Sequence, residues 1–367
     1  MPMADVRVPF LSLRPGEDAD ALRLAVNRVI DRGWFILGPE LEAFETEFAH
    51  AAGAAHAVGV NTGTDAIALL LRGLGIGPGD EVITAPLTAA YSALAVMMAG
   101  ARPVLADIDP ERHTIDPAAV EAAITPRTAA ILPVHLYGQP ADMTALQAIA
   151  TRHGLALVED AAQAHLSTCG GRPVGSFGAG AAFSFYPTKN LGALGDAGAI
   201  TTGDAALAER LKRLRNGGQR AQYQHDEFGV NSRLDEMQAA VLRERLQRLA
   251  DWTDARRALA ARYRANLAGG PVHVPPEFDP GHVYHLFVVR TPARDAFRAH
   301  MTARGVQTLV HYPRSLTQQP AFEREAPAPC PEAERAAAEV CSLPLYPSLS
   351  IEDVDLVSEA VRSFEPR

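Results

Sequence analysis

The sequence predicts an α/β fold with a mostly parallel sheet covered on both faces, and three observations carry that prediction. Short apolar runs alternate with stretches that are apolar at helical spacing through the first two-thirds of the chain. Most of these runs are short and nearly continuous in apolar character, as strands buried on both faces are. From about residue 232 the pattern changes to one long helix and then to a mixed segment that suits a smaller α+β body.

The runs read as strands are Ala57-Val-Gly-Val60, Glu81-Val-Ile-Thr84, Pro103-Val-Leu-Ala-Asp-Ile108, Ala129-Ala-Ile-Leu-Pro-Val134, Leu155-Ala-Leu-Val-Glu159 and Ala181-Ala-Phe-Ser-Phe185. Between them, residues 65–74, 89–99, 117–124 and 143–153 read as helices. The stretch 232–267 carries Leu234, Met237, Val241, Leu242, Leu246, Leu249 and Trp252 along one apolar stripe, which predicts a single helix linking two bodies. After Gly269-Gly270-Pro271, strands are expected at 285–291 and 306–312, helices at 294–304 and 350–364, and a loop at 317–332. A large domain over 1–250, including the N-terminal segment, and a small domain over 251–367 follow from this organisation.

Composition narrows the function. The 367 residues are 47% hydrophobic and 21% charged, a globular balance, and no stretch approaches the length of apolar chain a membrane span needs. A formal charge of -9 argues against a nucleic-acid or anionic-membrane partner, because phosphate backbones demand clustered positive charge. The start, Met1-Pro-Met-Ala-Asp-Val6, has no basic segment followed by an apolar one, so a soluble, cytoplasmic protein is expected. Cys169, Cys330 and Cys341 are few and far apart, which indicates neither a disulfide framework nor a zinc site.

The two lysines say more. Among 34 basic residues only Lys189 and Lys212 are not arginine. Lys212 sits in Glu209-Arg-Leu-Lys-Arg-Leu-Arg215 and reads as part of a solvated helix face. Lys189 sits in Phe183-Ser-Phe-Tyr-Pro-Thr-Lys189-Asn-Leu-Gly192, where small, aromatic and glycine residues replace charge. A guanidinium stays protonated and forms no imine, whereas an ammonium loses its proton readily once desolvated. Imine chemistry is therefore the leading reading of Lys189.

Open parallel sheets bind ligands beyond the carboxyl ends of their strands. That rule gathers Asp160 and Gln163 after strand 155–159, Ser184 and Lys189 at strand 181–185, and Asn61-Thr-Gly-Thr64 after strand 57–60. Each matches a demand of pyridoxal 5'-phosphate (PLP). The aldehyde needs the lysine, the pyridine nitrogen needs an acid partner, and the phosphate needs free N–H groups such as those of Gly63 and Thr64 at a helix start. Singly these residues have blander readings: Thr64 as an ordinary helix cap, Asp160 as a loop aspartate. Competing cofactors lack support, since there is no Walker-type loop and Gly178-Ala-Gly180-Ala-Ala-Phe183 precedes its strand instead of following it. His282 and His285 lack a third ligand and read as packing histidines, so no metal is expected; His135, ending a strand on the active face, is a candidate ligand contact.

Val158-Glu-Asp-Ala-Ala-Gln-Ala-His165 followed by Ser184-Phe-Tyr-Pro-Thr-Lys189-Asn-Leu-Gly-Ala-Leu-Gly-Asp196 resembles the DegT/DnrJ/EryC1/StrS family of sugar aminotransferases. So do Gly33-Trp-Phe-Ile-Leu-Gly-Pro-Glu40, Asn231-Ser-Arg-Leu-Asp-Glu-Met-Gln-Ala-Ala240 and Leu343-Pro-Leu-Tyr-Pro-Ser-Leu-Ser350, in the family's order. The resemblance implies the aspartate aminotransferase-like fold (fold type I of PLP enzymes) and a homodimer with shared active sites. It implies that Lys189 forms the Schiff base, Asp160 pairs with the pyridine nitrogen and Gln163 contacts the ring hydroxyl. Gly63, Thr64 and Ser184 would hold the phosphate, with Asn231 reaching it from the neighbouring subunit. Substrates would be a nucleotide-linked keto sugar, by likeness a dTDP-3-keto-6-deoxyhexose, and L-glutamate or L-glutamine; pyridoxamine 5'-phosphate (PMP) would arise in the half-reaction. Tyr186, His311 and Tyr312 are the candidate substrate contacts.

Two positions depart from the family pattern. Many relatives carry a ring-stacking aromatic where this chain has Ala89, and a second histidine where it has Thr317. A cyclitol or other cyclic ketone is accordingly an alternative substrate. A PMP-dependent dehydratase, in which histidine typically replaces the lysine, and a non-catalytic regulator are further alternatives.

Overall fold

The structure, a computed structural model, describes residues 6–322, 325 and 328–365. Its centre is a seven-stranded sheet built from β1 (His56–Val60), β2 (Glu81–Thr84), β3 (Arg102–Leu105), β4 (Thr128–Leu132), β5 (Ala156–Asp160), β6 (Gly180–Ser184) and β7 (Gly198–Thr202). The order across the sheet is β1-β7-β6-β5-β4-β2-β3. All pairings are parallel except the two made by β7, which runs against both β6 and β1. The carboxyl ends of β1, β6 and β5 therefore open on one edge, as the alternating pattern predicted. Strand β7, Gly-Ala-Ile-Thr-Thr, was not read from the sequence; flanked by small residues, it carries little apolar weight of its own.

Before the sheet come α1 (Ala19–Arg32) and α2 (Pro39–Ala51). Phe44 and Phe48 of α2 meet Phe183 and Phe185 edge-on, with centroids 5.0 to 5.4 Å apart. All four rings are buried, each contributing about 1.5–3 kcal/mol of hydrophobic stabilisation. That packing anchors the end of β6, where Ser184 sits. The start of α2 is tied down from a distance: the Glu236 carboxylate accepts hydrogen bonds from the backbone N–H groups of Gly38, Glu40 and Leu41 at 2.8 to 3.1 Å. A carboxylate there satisfies otherwise orphaned donors and complements the helix dipole. Helices α3 (Gly63–Gly73), α4 (Tyr91–Met98), α5 (Pro117–Ala123), α6 (Met143–His153) and α7 (Ala205–Leu214) fill out the layers around the sheet.

The long helix expected over 232–267 is two helices, α8 (Glu236–Leu246) and α9 (Leu249–Leu267). Their apolar residues serve two cores. Ala239, Leu242 and Leu249 pack with Phe44 and Phe183 against the sheet. Leu259, Ala260, Tyr263 and Leu267 belong to a separate core with Phe287, Phe297, Val306 and Val357.

That second core is assembled from α9, α10 (Arg294–Ala303), α12 (Ile351–Arg362) and an antiparallel pair, β8 (Phe287–Arg290) with β9 (Val340–Leu343). Val8 lies in this core as well and pairs with Val306, so the N-terminal segment docks on the small body. The strand expected at 306–312 is extended chain that, among the described residues, pairs only at Val306 and Leu309. Within 317–332, read as a loop, short 3-10 turns occupy Leu316–Gln318 and Pro320–Phe322, and α11 (Pro331–Glu339) begins at its end. Residues 323, 324, 326 and 327 of that stretch lie outside the described residues.

Candidate active site

Two consecutive carboxylates end β5, and strand geometry sends them to opposite faces. Asp160 is the one on the crevice side. Ser92 Oγ donates to its Oδ2 at 2.7 Å and the Ala162 N–H donates to its Oδ1 at 3.1 Å. Its neighbour on β6 brings Ser184, and the chain then turns, the Lys189 N–H donating to the Tyr186 carbonyl at 2.8 Å. Lys189 is half-buried, and among the described residues no hydrogen bond or ion pair engages its Nζ. Burial pushes the ammonium down to about 8, opposed by the nearby Asp160 carboxylate. The amine is thus far closer to its reactive form at neutral pH than an ordinary lysine.

Helix α3 starts on the same edge. Thr62, not Thr64, is its cap: the Thr62 side chain accepts from the Asp65 N–H at 3.0 Å. The N–H groups of Gly63 and Thr64 are left without a backbone or side-chain partner among the described residues. Gly63 is required here, since a Cβ would lie 2.7 Å from Ser184 Cβ. Gly198 is required beside it, because a Cβ there would lie 2.4 Å from the Thr62 carbonyl carbon. Two glycines thus let a helix start, a serine and a neighbouring strand converge.

The third wall joins the two bodies. Gln163 Oε1 accepts from the Tyr137 N–H at 2.7 Å, and its Nε2 donates to Tyr312 Oη at 3.1 Å. Tyr137 Oη donates to the His311 carbonyl, and His311 Nδ1 lies 2.9 Å from Ser342 Oγ. Three histidines, His165, His285 and His311, lie close enough to Lys189 to feel its charge. Burial foremost, then the Lys189 charge, depresses His311 to about 4, His165 to about 3 and His285 well below its usual value. They are neutral imidazoles at physiological pH.

The DegT/DnrJ/EryC1/StrS aminotransferase family matches residues 17–362. The chain is 52% identical to dTDP-3-amino-3,4,6-trideoxy-alpha-D-glucose transaminase of Streptomyces venezuelae, over 100% of this chain and 97% of that protein. It is 44% identical to UDP-N-acetyl-3-dehydro-alpha-D-glucosamine 3-aminotransferase of Acidithiobacillus ferrooxidans, over 99% and 97%. The crystal structure of S. venezuelae DesV in complex with a ketimine intermediate superposes with a TM-score of 0.94 at 53% identity, covering 98% of each chain. The chain belongs to the DegT/DnrJ/EryC1/StrS aminotransferase family. It is a PLP-dependent aminotransferase, and its fold is the one the sequence resemblance implied.

The residues present fit PLP. A helix start with two free N–H groups, narrowed by Gly63 to the space beside Ser184, suits a phosphate. A buried carboxylate and an unpaired amine stand on the same edge, as a pyridine nitrogen and an aldehyde require.

His135 takes a packing place: it is fully buried, with Nδ1 accepting from the Ala141 N–H at 3.1 Å and Nε2 3.1 Å from Glu159 Oε2. Both nitrogens are committed to holding the fold. His282 stacks on Tyr284 at 3.9 Å and His285 Nδ1 lies 3.2 Å from Asn190 Oδ1. Tyr186 is exposed, and Asn231 is exposed and paired through its backbone with Asn216. Tyr312, read as a substrate contact, is hydrogen-bonded to Gln163. Thr317 Oγ1 donates to Glu334 Oε1 at 2.8 Å. Ser92 and Tyr137 were missed. The available signal for Ser92 was a small hydroxyl heading the otherwise apolar run Ala93-Leu-Ala-Val-Met-Met98; Tyr137 acts through its backbone, which no side-chain pattern reveals.

Proposed function

We propose that this enzyme transfers an amino group from L-glutamate or L-glutamine to C3 of a dTDP-linked 3-keto-6-deoxyhexose. The observation that carries the catalytic part is the half-buried, unpaired Lys189 amine beside Asp160, on the edge that also holds the α3 start. The substrate class rests on similarity to proteins named as dTDP-amino sugar transaminases. Bound PLP supplies an electrophilic aldehyde and an electron sink. Lys189 Nζ would hold PLP and would carry the proton removed at the donor's Cα. Asp160 holds the proton on the pyridine nitrogen. Gly63, Thr64 and Ser184 bind the phosphate, and Gln163 contacts the ring hydroxyl. The neutral imidazoles of His165, His285 and His311 keep competing positive charge away from Lys189.

We further read the active unit as a homodimer in which Asn231 of one copy reaches the phosphate of the other. Exposed Tyr223, Phe228 and Val230 just before Asn231, together with Trp34, Phe35 and Ile36, form apolar surface that supports burial by a second copy. The large domain runs to about residue 250 and the small one over 251–367. Among the described residues no helix is long and apolar enough to cross a membrane.

Product formation from dTDP-, UDP- and GDP-linked keto sugars tests the assignment. Amine product from a dTDP-3-keto-6-deoxyhexose, and loss of the visible cofactor band in Lys189→Ala, are expected. Turnover of a free cyclic ketone and of none of the nucleotide sugars would overturn the substrate class, and an unchanged band in the variant would overturn the role of Lys189.

A further inference from the structure

Ser92 is the second residue of α4, where a serine hydroxyl ordinarily turns back on its own helix or faces solvent. It does neither. Helix α4 has no side-chain cap, Ser92 is 2% exposed, and its Oγ crosses to Asp160 Oδ2 at 2.7 Å. Thr88 Oγ1, itself buried, stands 3.5 Å from the Ser92 hydroxyl on its far side. The other carboxylate oxygen takes the Ala162 N–H from the turn after β5. Asp160 is thus gripped by two donors from separate elements, one of them a side chain that depends on where α4 lies. Two donors at fixed directions leave the carboxylate one plane and one rotamer.

We propose that Ser92 is a positioning residue for the cofactor: its hydroxyl fixes the Asp160 carboxylate in the orientation that keeps the pyridine nitrogen protonated. The inference rests on the assignment of Asp160 to that nitrogen.

The test compares Ser92→Ala, Ser92→Thr and Asp160→Asn holoenzymes, with the melting temperature confirming that each is folded. Three quantities are read: the PLP dissociation constant after resolution and reconstitution, the pH dependence of the visible band, and kcat and KM for L-glutamate. Ser92→Ala is expected to weaken PLP binding by roughly 10-fold, as loss of one hydrogen bond to a charged group does. The pH midpoint of the band should move and kcat should fall, with KM for L-glutamate nearly unchanged. Ser92→Thr, which keeps the hydroxyl, should restore all three. If Ser92→Ala keeps the parent's PLP affinity and pH midpoint while Asp160→Asn alters them, the positioning role is wrong and the Asp160 assignment stands. If Asp160→Asn alters neither, the assignment fails and takes the inference with it. A folded Ser92→Thr as impaired as Ser92→Ala would also overturn it.

Discussion

Glu159 and Asp160 are neighbours in sequence and both buried, yet one is bound up in the fold and the other keeps acceptor capacity toward the crevice. Glu159 accepts from the N–H groups of Gly175 and Phe177 at 2.9 and 2.8 Å and meets His135 Nε2 at 3.1 Å. Its acceptor positions are spent on backbone and on a histidine locked by its own second bond. Asp160 has one donor on each oxygen and faces an unpaired amine. Burial does not distinguish the two. What distinguishes them is acceptor capacity left over, directed toward a crevice where a cationic ring nitrogen has a place.

The sharpest way to break that contrast is to remove one charge at a time. Asp160→Asn should lower kcat by about 10³-fold, in the range lost when a group acting on transition-state charge is removed, with little change in melting temperature. Glu159→Ala should do the opposite in kind. It strands two buried N–H groups and His135, so a loss of about 2–4 kcal/mol of stability is expected, with residual activity per folded molecule much less affected. Chemical denaturation and steady-state kinetics on both proteins give the comparison. Equal stability losses from the two substitutions would mean that Asp160 is as structural as Glu159.

The same contrast separates the two lysines. Lys212 is exposed and pairs with Glu209 at 2.8 Å, one turn of α7 away. Lys189 has no such partner, and its folded value of about 8 lies below the roughly 10.4 of an unfolded chain. Below pH 8 both states carry the proton and the half-buried ammonium weakens the fold in full. Between those values the unfolded state holds the proton that the folded state has released, so stability rises with pH; above them the contribution is gone. Cofactor-free Lys189→Met should therefore be more stable than its parent at pH 7, by about 1–3 kcal/mol after allowing for partial exposure, with the advantage shrinking toward pH 10. Unfolding of both proteins across that pH range decides it, and a variant less stable at pH 7 would count against the strained-amine reading.

How much of this was legible depends on whether a residue announces itself locally. Lys189 did, by scarcity and by its uncharged neighbours; Asp160 and Gly63 did, by ending strands that periodicity located. The helix cap at Thr62 was displaced by two positions because the run Thr62-Gly-Thr64 offers two hydroxyls and no local signal chooses between them. The break between α8 and α9 was invisible because the apolar stripe continues across it, through Leu246 on one side and Leu249 on the other. The place of His135 is set by a tertiary contact with no local signal: Glu159, 24 residues later, claims it from the adjacent strand. The contact of Tyr312 with Gln163 had no local signal, since it spans 149 residues.

That contact carries the smallest predicted effect. Tyr312→Phe removes the oxygen that Gln163 Nε2 meets and leaves Gln163 Oε1 on the Tyr137 N–H, so Gln163 loses one of its two tethers. A neutral hydrogen bond of this kind is worth about 1 kcal/mol, hence a roughly 3- to 5-fold rise in the PLP dissociation constant and a similar or smaller fall in kcat. A direct substrate contact by the Tyr312 hydroxyl would move KM for the keto sugar instead, with PLP affinity unchanged. Reconstitution titrations alongside sugar-dependent kinetics separate the two. An altered sugar KM with parental PLP affinity would return Tyr312 to the substrate side of the crevice, and altered PLP affinity with parental sugar KM would fix it as the strut by which the small body steadies Gln163.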